Sequence, residues 1–426
     1  MSATNLTWVS LAEICSLITD GKHGDCEPDD NSGFYFLSCK DVNNGKLNYR
    51  GARQITAVDF HDTHRRTRLE PGDILLTNSG TIGRMAIAPN HELTKRTTFQ
   101  KSVAILKPLH EEVDSRFLYF ALHGELPRLM EFAGGTAQKN LLLRDLRGFR
   151  LQLPDLPTQR KIAGILSAYD DLIENNLRRI KILEEMAQSL YREWFVHFRF
   201  PGQESARFTE SDIGRIPKGW DVKAMTEAVT VRPKVSIPKG GDIPFVTMGG
   251  LSENSMLITE VESRDAPTGA RFQNGDTLFA RITPCLENGK TGYVEFLPSD
   301  ESAACGSTEF IVLRSKTVCP QYVYLMARSD AFRDNAIKSM SGATGRQRVR
   351  DECFDQFFLA QPPDDLLSRF ESITRPKFEL IHSLNRRNQT LRRTRDLLLS
   401  KLLSGGQASF RPGNPAGHRA MSDCHT

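Results

Sequence analysis

KIAGILSAYDDLIENNLRRIKILEEMAQSLYREW, residues 161–194, sets core-like positions at steps of four and three. They are Ile162, Leu166, Tyr169, Ile173, Asn176, Ile180, Leu183, Ala187, Leu190 and Trp194. That spacing is the heptad of a coiled coil, narrower than the stripe of a helix lying on a globular surface. It predicts one long helix over Leu156–Phe195 and asks for a partner. The partner is a second run, Asp364–Leu403, with Phe370, Ile381, Leu384, Leu391, Leu398 and Leu402 at corresponding positions. Its other seam positions hold Thr374, Lys377, Asn388 and Arg395, so this seam is less regular. Pro376 is expected either to start the main part of this helix or to kink it. An amphipathic helix of this kind can also pack on its own domain, but two of similar length favour pairing.

Beyond the helices, the chain repeats itself. Leu183 matches Leu391, and 391−183 = 208. The same offset pairs Gly134 with Gly342, Pro154 with Pro362, Ile165 with Ile373, Ile173 with Ile381 and Leu190 with Leu398. Upstream, Pro71-Gly72-Asp73 and Asn274-Gly275-Asp276 are matching turn-then-strand units at an offset of 276−73 = 203. Ser102–Lys107 and Glu309–Arg314 are matching strand candidates, each followed by an aromatic-rich helical segment. Drift of a few residues is what loops between diverged copies should show. The fold class is therefore α+β: two repeated mixed domains joined by two long helices in an antiparallel coiled coil. The expected divisions are a first domain over 1–155, a helix within 156–200, a second domain over 201–361, a helix within 362–405, and a disordered tail over 406–426. About 40 helical residues reach roughly 60 Å, and DNA repeats its groove about every 34–36 Å. A two-fold molecule with such a spacer suits duplex DNA read at two half-sites.

Composition narrows the classes. The chain has 426 residues, 39% hydrophobic and 25% charged, ordinary proportions for a soluble globular protein. No apolar run approaches bilayer length, and residues 1–30 lack a signal-peptide core. Eight cysteines without paired spacing indicate neither a disulfide framework nor a zinc ribbon, so a reducing cytoplasm fits best. The net charge of +4 is mild but uneven: residues 369–401 hold nine basic side chains against three acidic, whereas 158–196 hold six of each. The basic helix suits phosphate, a less basic partner helix or plain solvent.

Catalytic motifs are largely missing. Pro284–Thr291 ends like a phosphate-binding loop, but Pro284 stands where that pattern needs glycine. The first copy has Asn78-Ser-Gly-Thr-Ile-Gly-Arg84 in the same place, and a polar strand–turn explains both. His61 and His64 have metal spacing, yet no cysteine or third histidine completes a set. No nucleophile elbow, nuclease carboxylate cluster or adenosylmethionine loop is visible. What does repeat is loop-borne and polar: Gly134–Asn140 in one half and Gly342–Arg348 in the other. Arginine, lysine, asparagine and glutamine are the side chains that read base edges, and neighbouring glycines let backbone approach phosphate. A solvated turn uses similar residues, but two at equivalent places favour contact with a ligand. The candidate DNA contacts are Lys22, His23, Lys40, Asn78, Ser79, Thr81, Arg84, Gln138, Lys139 and Asn140 in the first half. In the second they are Arg281, Asn288, Lys290, Arg346, Gln347 and Arg348.

Assembled, these features resemble the specificity subunit of a type I restriction–modification system. The carrying segments are IPKGW at 216–220, GDILLTNSGTIGR at 72–84, GGTAQKNL at 134–141, LQLPDLPTQRKIAGIL at 151–166 and LLLSKLLSG at 397–405. Their order, duplicated around two helices, carries the likeness over nearly the whole chain except the tail. The resemblance implies a non-catalytic subunit whose two domains each read part of a split, asymmetric DNA target. It implies that the helices set the half-site spacing and dock DNA methyltransferase subunits, with a restriction and translocase subunit joining them. S-adenosylmethionine, ATP and Mg would then belong to those partners, and this chain would hold no cofactor or metal. The docking and coiled-coil residues would be Ile162, Leu166, Ile173, Ile180, Leu183, Leu190 and Trp194, with Ile381, Leu384, Leu391, Leu398 and Leu402. The first proline-rich junction carries the family's glutamine at Gln159, whereas QPPDDLLSRF at 361–370 lacks it, which weakens the expected partner contact there. The competing readings are a self-contained enzyme that modifies or cleaves DNA, and a coiled-coil scaffold for other proteins.

Overall fold

A computed structural model describes residues 6–43, 45–134, 140–237, 240–343 and 345–403. The chain falls into two compact units, Met1–Leu172 with Leu391–Thr426, and Ile173–Thr390. Each unit holds one globular repeat and one end of each long helix.

The two units are built alike. In the first, strand Thr7–Ser10 pairs antiparallel with Arg150–Leu153, so the beginning and end of the globular part are hydrogen-bonded together. In the second, Asp221–Ala224 pairs with Phe358–Gln361 in the same way. A one-turn helix follows each opening strand, Leu11–Ile14 and Met225–Ala228. A glutamate caps each: Ser10 N donates to Glu13 and Ala224 N to Glu227.

Next comes an antiparallel four-stranded sheet with the same strand order in both units. The first runs Cys15–Asp20, Val103–Pro108, Ile74–Thr77, Met85–Ile87; the second runs Val229–Val231, Phe310–Ser315, Thr277–Ala280, Thr291–Tyr293. Their middle strands are apolar at successive positions because both faces are covered. Ile74 and Leu76 enter one core while Leu75 enters another, and Phe279 and Leu278 part in the same manner. Gly72 and Gly275 hold φ of 93° and 83° at the preceding turn, a left-handed conformation that favours glycine. The following aspartate closes the turn, Asp73 accepting from Glu70 N and Asp276 from Gln273 N, both at 2.8 Å. Each buried aspartate also meets a cation from the neighbouring strand, Lys107 at 2.7 Å and Arg314 at 2.6 Å. The repeat is thus one of hydrogen bonds and charge pairs as well as of residues.

The units differ in their second sheet. Tyr35–Leu37 pairs in parallel with Thr97–Phe99 as an isolated two-stranded ladder, and helix Ala57–Thr67 packs beside it. In the second unit the equivalent parallel pair, Ile243–Val246 and Ala303–Gly306, is widened by Val261–Arg264 and Ala270–Gln273 into four strands.

The first long helix spans Leu156–Tyr191 and widens into a π turn at Arg192–Val196. Every seam position expected on it is buried or half-buried. The second spans Asp364–Leu403, with Asp364 and Asp365 in its first turn where the helix dipole favours negative charge. Asp170 pairs with Arg395 in one unit, and Asn176 donates to Asn388 in the other at 2.8 Å. The register falls along one helix as it rises along the other, so the pair is antiparallel. Pro376 does not start this helix, which begins twelve residues earlier; proline lies inside it on an exposed position. The most buried members of the seam also include Phe378 and Leu399, neighbours of the expected Lys377 and Leu398. The motif at 216–220 ends in Trp220, which is buried against Phe195, Phe198 and Phe200. The tail expected at 406–426 lies outside the described residues. Among those described, no helix is long and apolar enough to cross a membrane.

Candidate nucleic-acid interface

Three chain segments that are far apart in sequence meet at one junction in each unit. In the first, strand Ile74–Thr77 delivers Asn78, whose N–H donates to Ser102 O at 3.0 Å and whose carbonyl accepts from Leu141 N at 2.9 Å. In the second, Arg281 N donates to Glu309 O at 3.0 Å and Arg281 O accepts from Val349 N at 2.8 Å. These are the same two hydrogen bonds at equivalent positions. Around them, Asn140 bridges to Ser79 and Gly134, while Arg348 bridges to Ile282 and Ser341. The loops suspected from sequence are therefore neighbours in space, and they are neighbours twice.

Side chains at the two junctions differ in charge. Asn78 is buried with its Oδ1 lacking a hydrogen-bond partner, and Asn140 is exposed. Thr81 is exposed at the turn, where Thr77 Oγ1 donates to Thr81 O and accepts from Arg84 N at 2.9 Å. In the second unit Arg348 lays Nε and Nη2 against both oxygens of Glu309, at 2.7–3.1 Å. Arg281 Nε stands 3.9 Å from the same carboxylate. The hydrogen bonds of Arg348, then the charges of Arg348, Arg281 and Arg232, hold Glu309 below the usual carboxylate range. Arg232 pairs with Asp351, and Arg350 Nε donates to Ser341 Oγ at 2.8 Å. Arg346 is exposed, and Gln347 O accepts from Thr283 N at 3.1 Å while Gln347 N donates to Thr283 Oγ1 at 3.0 Å.

The remaining candidates sit differently. Lys40 is exposed on a turn tied to this region by Cys39 N donating to Ser102 Oγ at 3.2 Å. Lys22 and His23 adjoin residues 99–101, but their side chains are engaged by Asp59 and Asp20. Asn288 and Lys290 are held instead by another loop, through Glu253 at 3.2 Å and Met248 O at 3.0 Å. A lysine that donates to a backbone carbonyl is not cradling a phosphate, which agrees with Pro284 breaking the loop pattern. Gln138 and Lys139 lie outside the described residues. Sequence reasoning missed Ser102, Glu309, Arg232, Arg350 and Asp351. The one available signal was a glutamate opening a repeated apolar strand where the other copy has serine.

Gln159 takes a different role from the one the resemblance suggested. It is 1% exposed. Its Oε1 accepts from Asp114 N at 2.9 Å, and its Nε2 donates to Pro154 O at 2.9 Å and Glu112 O at 3.2 Å. It brackets the first domain to the start of the long helix and has no surface to offer a partner. The seam residues are likewise turned inward, from Ile162, Leu166, Ile173 and Ile180 to Trp194, Ile381 and Leu384, with Leu183, Leu190, Leu391, Leu398 and Leu402 half-buried. His64 stacks on Phe60, and burial lowers its pKa. Among the described residues no group of three side chains is placed to hold a metal ion.

One loop junction and one sheet order, each built twice, mark the chain as an internal duplication. Residues 5–185 match the family model of the type I restriction modification DNA specificity domain. The chain is 27% identical over 386 residues to the type I restriction enzyme MjaIX specificity subunit of Methanocaldococcus jannaschii, covering 87% of this chain and 86% of that protein. It is 21% identical to the HindI specificity subunit of Haemophilus influenzae, covering 87% and 93%. The crystal structure of the type I restriction–modification S subunit from M. genitalium has the same fold, with a TM-score of 0.56 at 15% identity over 94% of this chain and 97% of that one. Over most of its length, then, the chain is similar to type I restriction–modification specificity subunits.

Proposed function

We propose that this chain reads a split, asymmetric DNA sequence for a type I restriction–modification complex. Residues 1–155 read one half-site and residues 201–361 the other. The observation that carries this is the junction built twice from the same backbone hydrogen bonds but tipped with different polar side chains. A scaffold with two equivalent, chemically unlike tips is what an asymmetric two-part target requires. The paired helices set the gap between half-sites and give the methyltransferase subunits their docking surface. The seam side chains hold the pair together. The docking surface falls to exposed apolar residues of the first helix, Ile165 and Leu172 in one unit and Ile182 and Met186 in the other. S-adenosylmethionine would be bound by the methyltransferase subunits, and ATP and Mg by a restriction and translocase subunit.

The test is to express the chain with its methyltransferase subunit and sequence host DNA for modified adenines. A new split motif, absent when this chain is omitted, is the expected result. No motif from a verified, assembled complex would overturn the reading.

A further inference from the structure

The two junctions can be compared atom for atom because their backbones make the same bonds. Position 348 answers to 348−208 = 140, position 309 to 309−207 = 102, and position 281 to 281−203 = 78. Unit 2 therefore has Arg348, Glu309 and Arg281 where unit 1 has Asn140, Ser102 and Asn78.

Guanidinium is a planar fork with five N–H donors. Glu309 occupies the Nε–Nη2 edge of Arg348, which leaves the end-on pair, Nη1 and the second N–H of Nη2, facing away from the carboxylate. The Arg348 side chain is 48% exposed and Glu309 only 21%, so the brace is sheltered and the free end is open. Two parallel donors match guanine, which offers O6 and N7 as acceptors in the major groove; adenine presents a donor at N6 and clashes. Bracing also means that little rotamer freedom remains to be lost on binding. Unit 1 has neither the cation nor the carboxylate at these places. Its Ser102 hydroxyl accepts from Cys39 N, and Asn140 presents an exposed carboxamide, an NH2 that donates beside a carbonyl that accepts. That pair complements adenine N6 and N7.

We propose that the half-sites differ in kind at this position: Arg348, braced by Glu309, reads a guanine for unit 2, and Asn140 reads an adenine for unit 1. The assignment rests on the specificity reading under Proposed function and names the bases that reading leaves open.

The experiment uses the full chain assembled with its methyltransferase subunit and determines the modified motif for wild type, R348K, R348A, E309Q and N140A. R348K keeps the charge but loses the fork. It is expected to leave one guanine of one half-site degenerate, its preference over adenine falling by roughly ten-fold or more, with the other half-site unchanged. R348A does the same, and E309Q weakens the same position less. N140A relaxes an adenine in the opposite half-site only. Binding to a duplex with 7-deazaguanine at the assigned position removes N7: wild type loses affinity, and R348A is indifferent. An intact guanine preference in R348K and R348A overturns the assignment, and so does a uniform loss over all sequences, which marks a phosphate or structural contact. No split motif from the wild-type complex overturns the specificity reading itself, and this assignment with it.

Discussion

Repeat one and repeat two share their skeleton and differ at their tips. Both close the globular part with an end-to-end strand pair, order the four-stranded sheet alike, and bury an aspartate against a cation. The cation changes from Lys107 to Arg314 without disturbing the pair. The tips change from Asn140 and Ser102 to Arg348 and Glu309, and the second sheet doubles from two strands to four. The join to the long helix changes as well: Gln159 brackets unit 1 by three hydrogen bonds, while Leu367, 208 positions on, is simply buried. Groups that satisfy buried backbone or charge are held in both copies, or replaced by an apolar solution of equal closure. Groups facing solvent have diverged in chemistry. One scaffold carries two different faces.

The largest effect that would overturn this contrast lies at the shared ion pairs. D276A strands Arg314 at a closed turn and is expected to cost about 3 kcal/mol, whereas D73A leaves Lys107 its bonds to Glu70 and Arg68 O and is expected to cost less. Hydrogen exchange should show lost protection in the mutated repeat only; equal loss in both would mean the repeats are not independent scaffolds. Next is the unshared bracket. Q159L installs the second copy's residue but orphans Asp114 N–H and two carbonyls, and should cost about 2–3 kcal/mol. Denaturant unfolding followed by a probe in the first domain checks it, and a neutral result would make the bracket incidental.

The seam offers a smaller contrast. Unit 2 buries the neutral pair Asn176–Asn388, with Asn388 wholly buried, whereas unit 1 has the charged pair Asp170–Arg395. Replacing both asparagines by leucine should stabilise the helix pair by about 1 kcal/mol while loosening its register. Cysteine cross-linking between the helices reads the register directly, and a single unchanged pattern would remove the asparagines' part in fixing it.

The smallest effect is a pH dependence in unit 2. Burial, then the Glu379 charge, raises Glu295 from 4.5 to about 7. Burial, then Arg386, lowers His382 from 6.5 to about 4, the two groups standing 3.9 Å apart. A raised carboxylate is stabilising while neutral, fully so below 4.5, and that contribution is lost as pH rises through about 7. A depressed histidine acts oppositely, its contribution being lost as pH falls from 6.5 through about 4. E295Q should therefore stabilise at pH 8, on the order of 1 kcal/mol, and make little difference at pH 4.5. Equal shifts at both pH values would show that the carboxylate's charge is not the cause.

Much of this architecture is legible in the residues alone. The heptad of residues 162–194 specifies a helix that needs a partner, and the 208-residue offset specifies two like domains. The Gly-Asp turns mark matching strand starts, because a left-handed turn and its closing carboxylate are local demands. Of the two outcomes Pro376 allows, the helix start is the one the structure excludes, since an exposed position inside a paired helix tolerates a missing N–H. Gln159 misleads because a glutamine in a proline-rich junction looks solvent-facing until the domain folds over it.

The repeat, the helical seam and the polar character of two loops are local periodicities or fixed offsets, so the order of residues is enough to specify them. Tertiary folding is what brings these loops to one junction in each unit and braces Arg348 with Glu309, 39 residues away. It is also what turns Gln159 inward toward Asp114, 45 residues away. Such partners are chosen by sheet pairing between distant strands, and no window of sequence contains both ends of that choice.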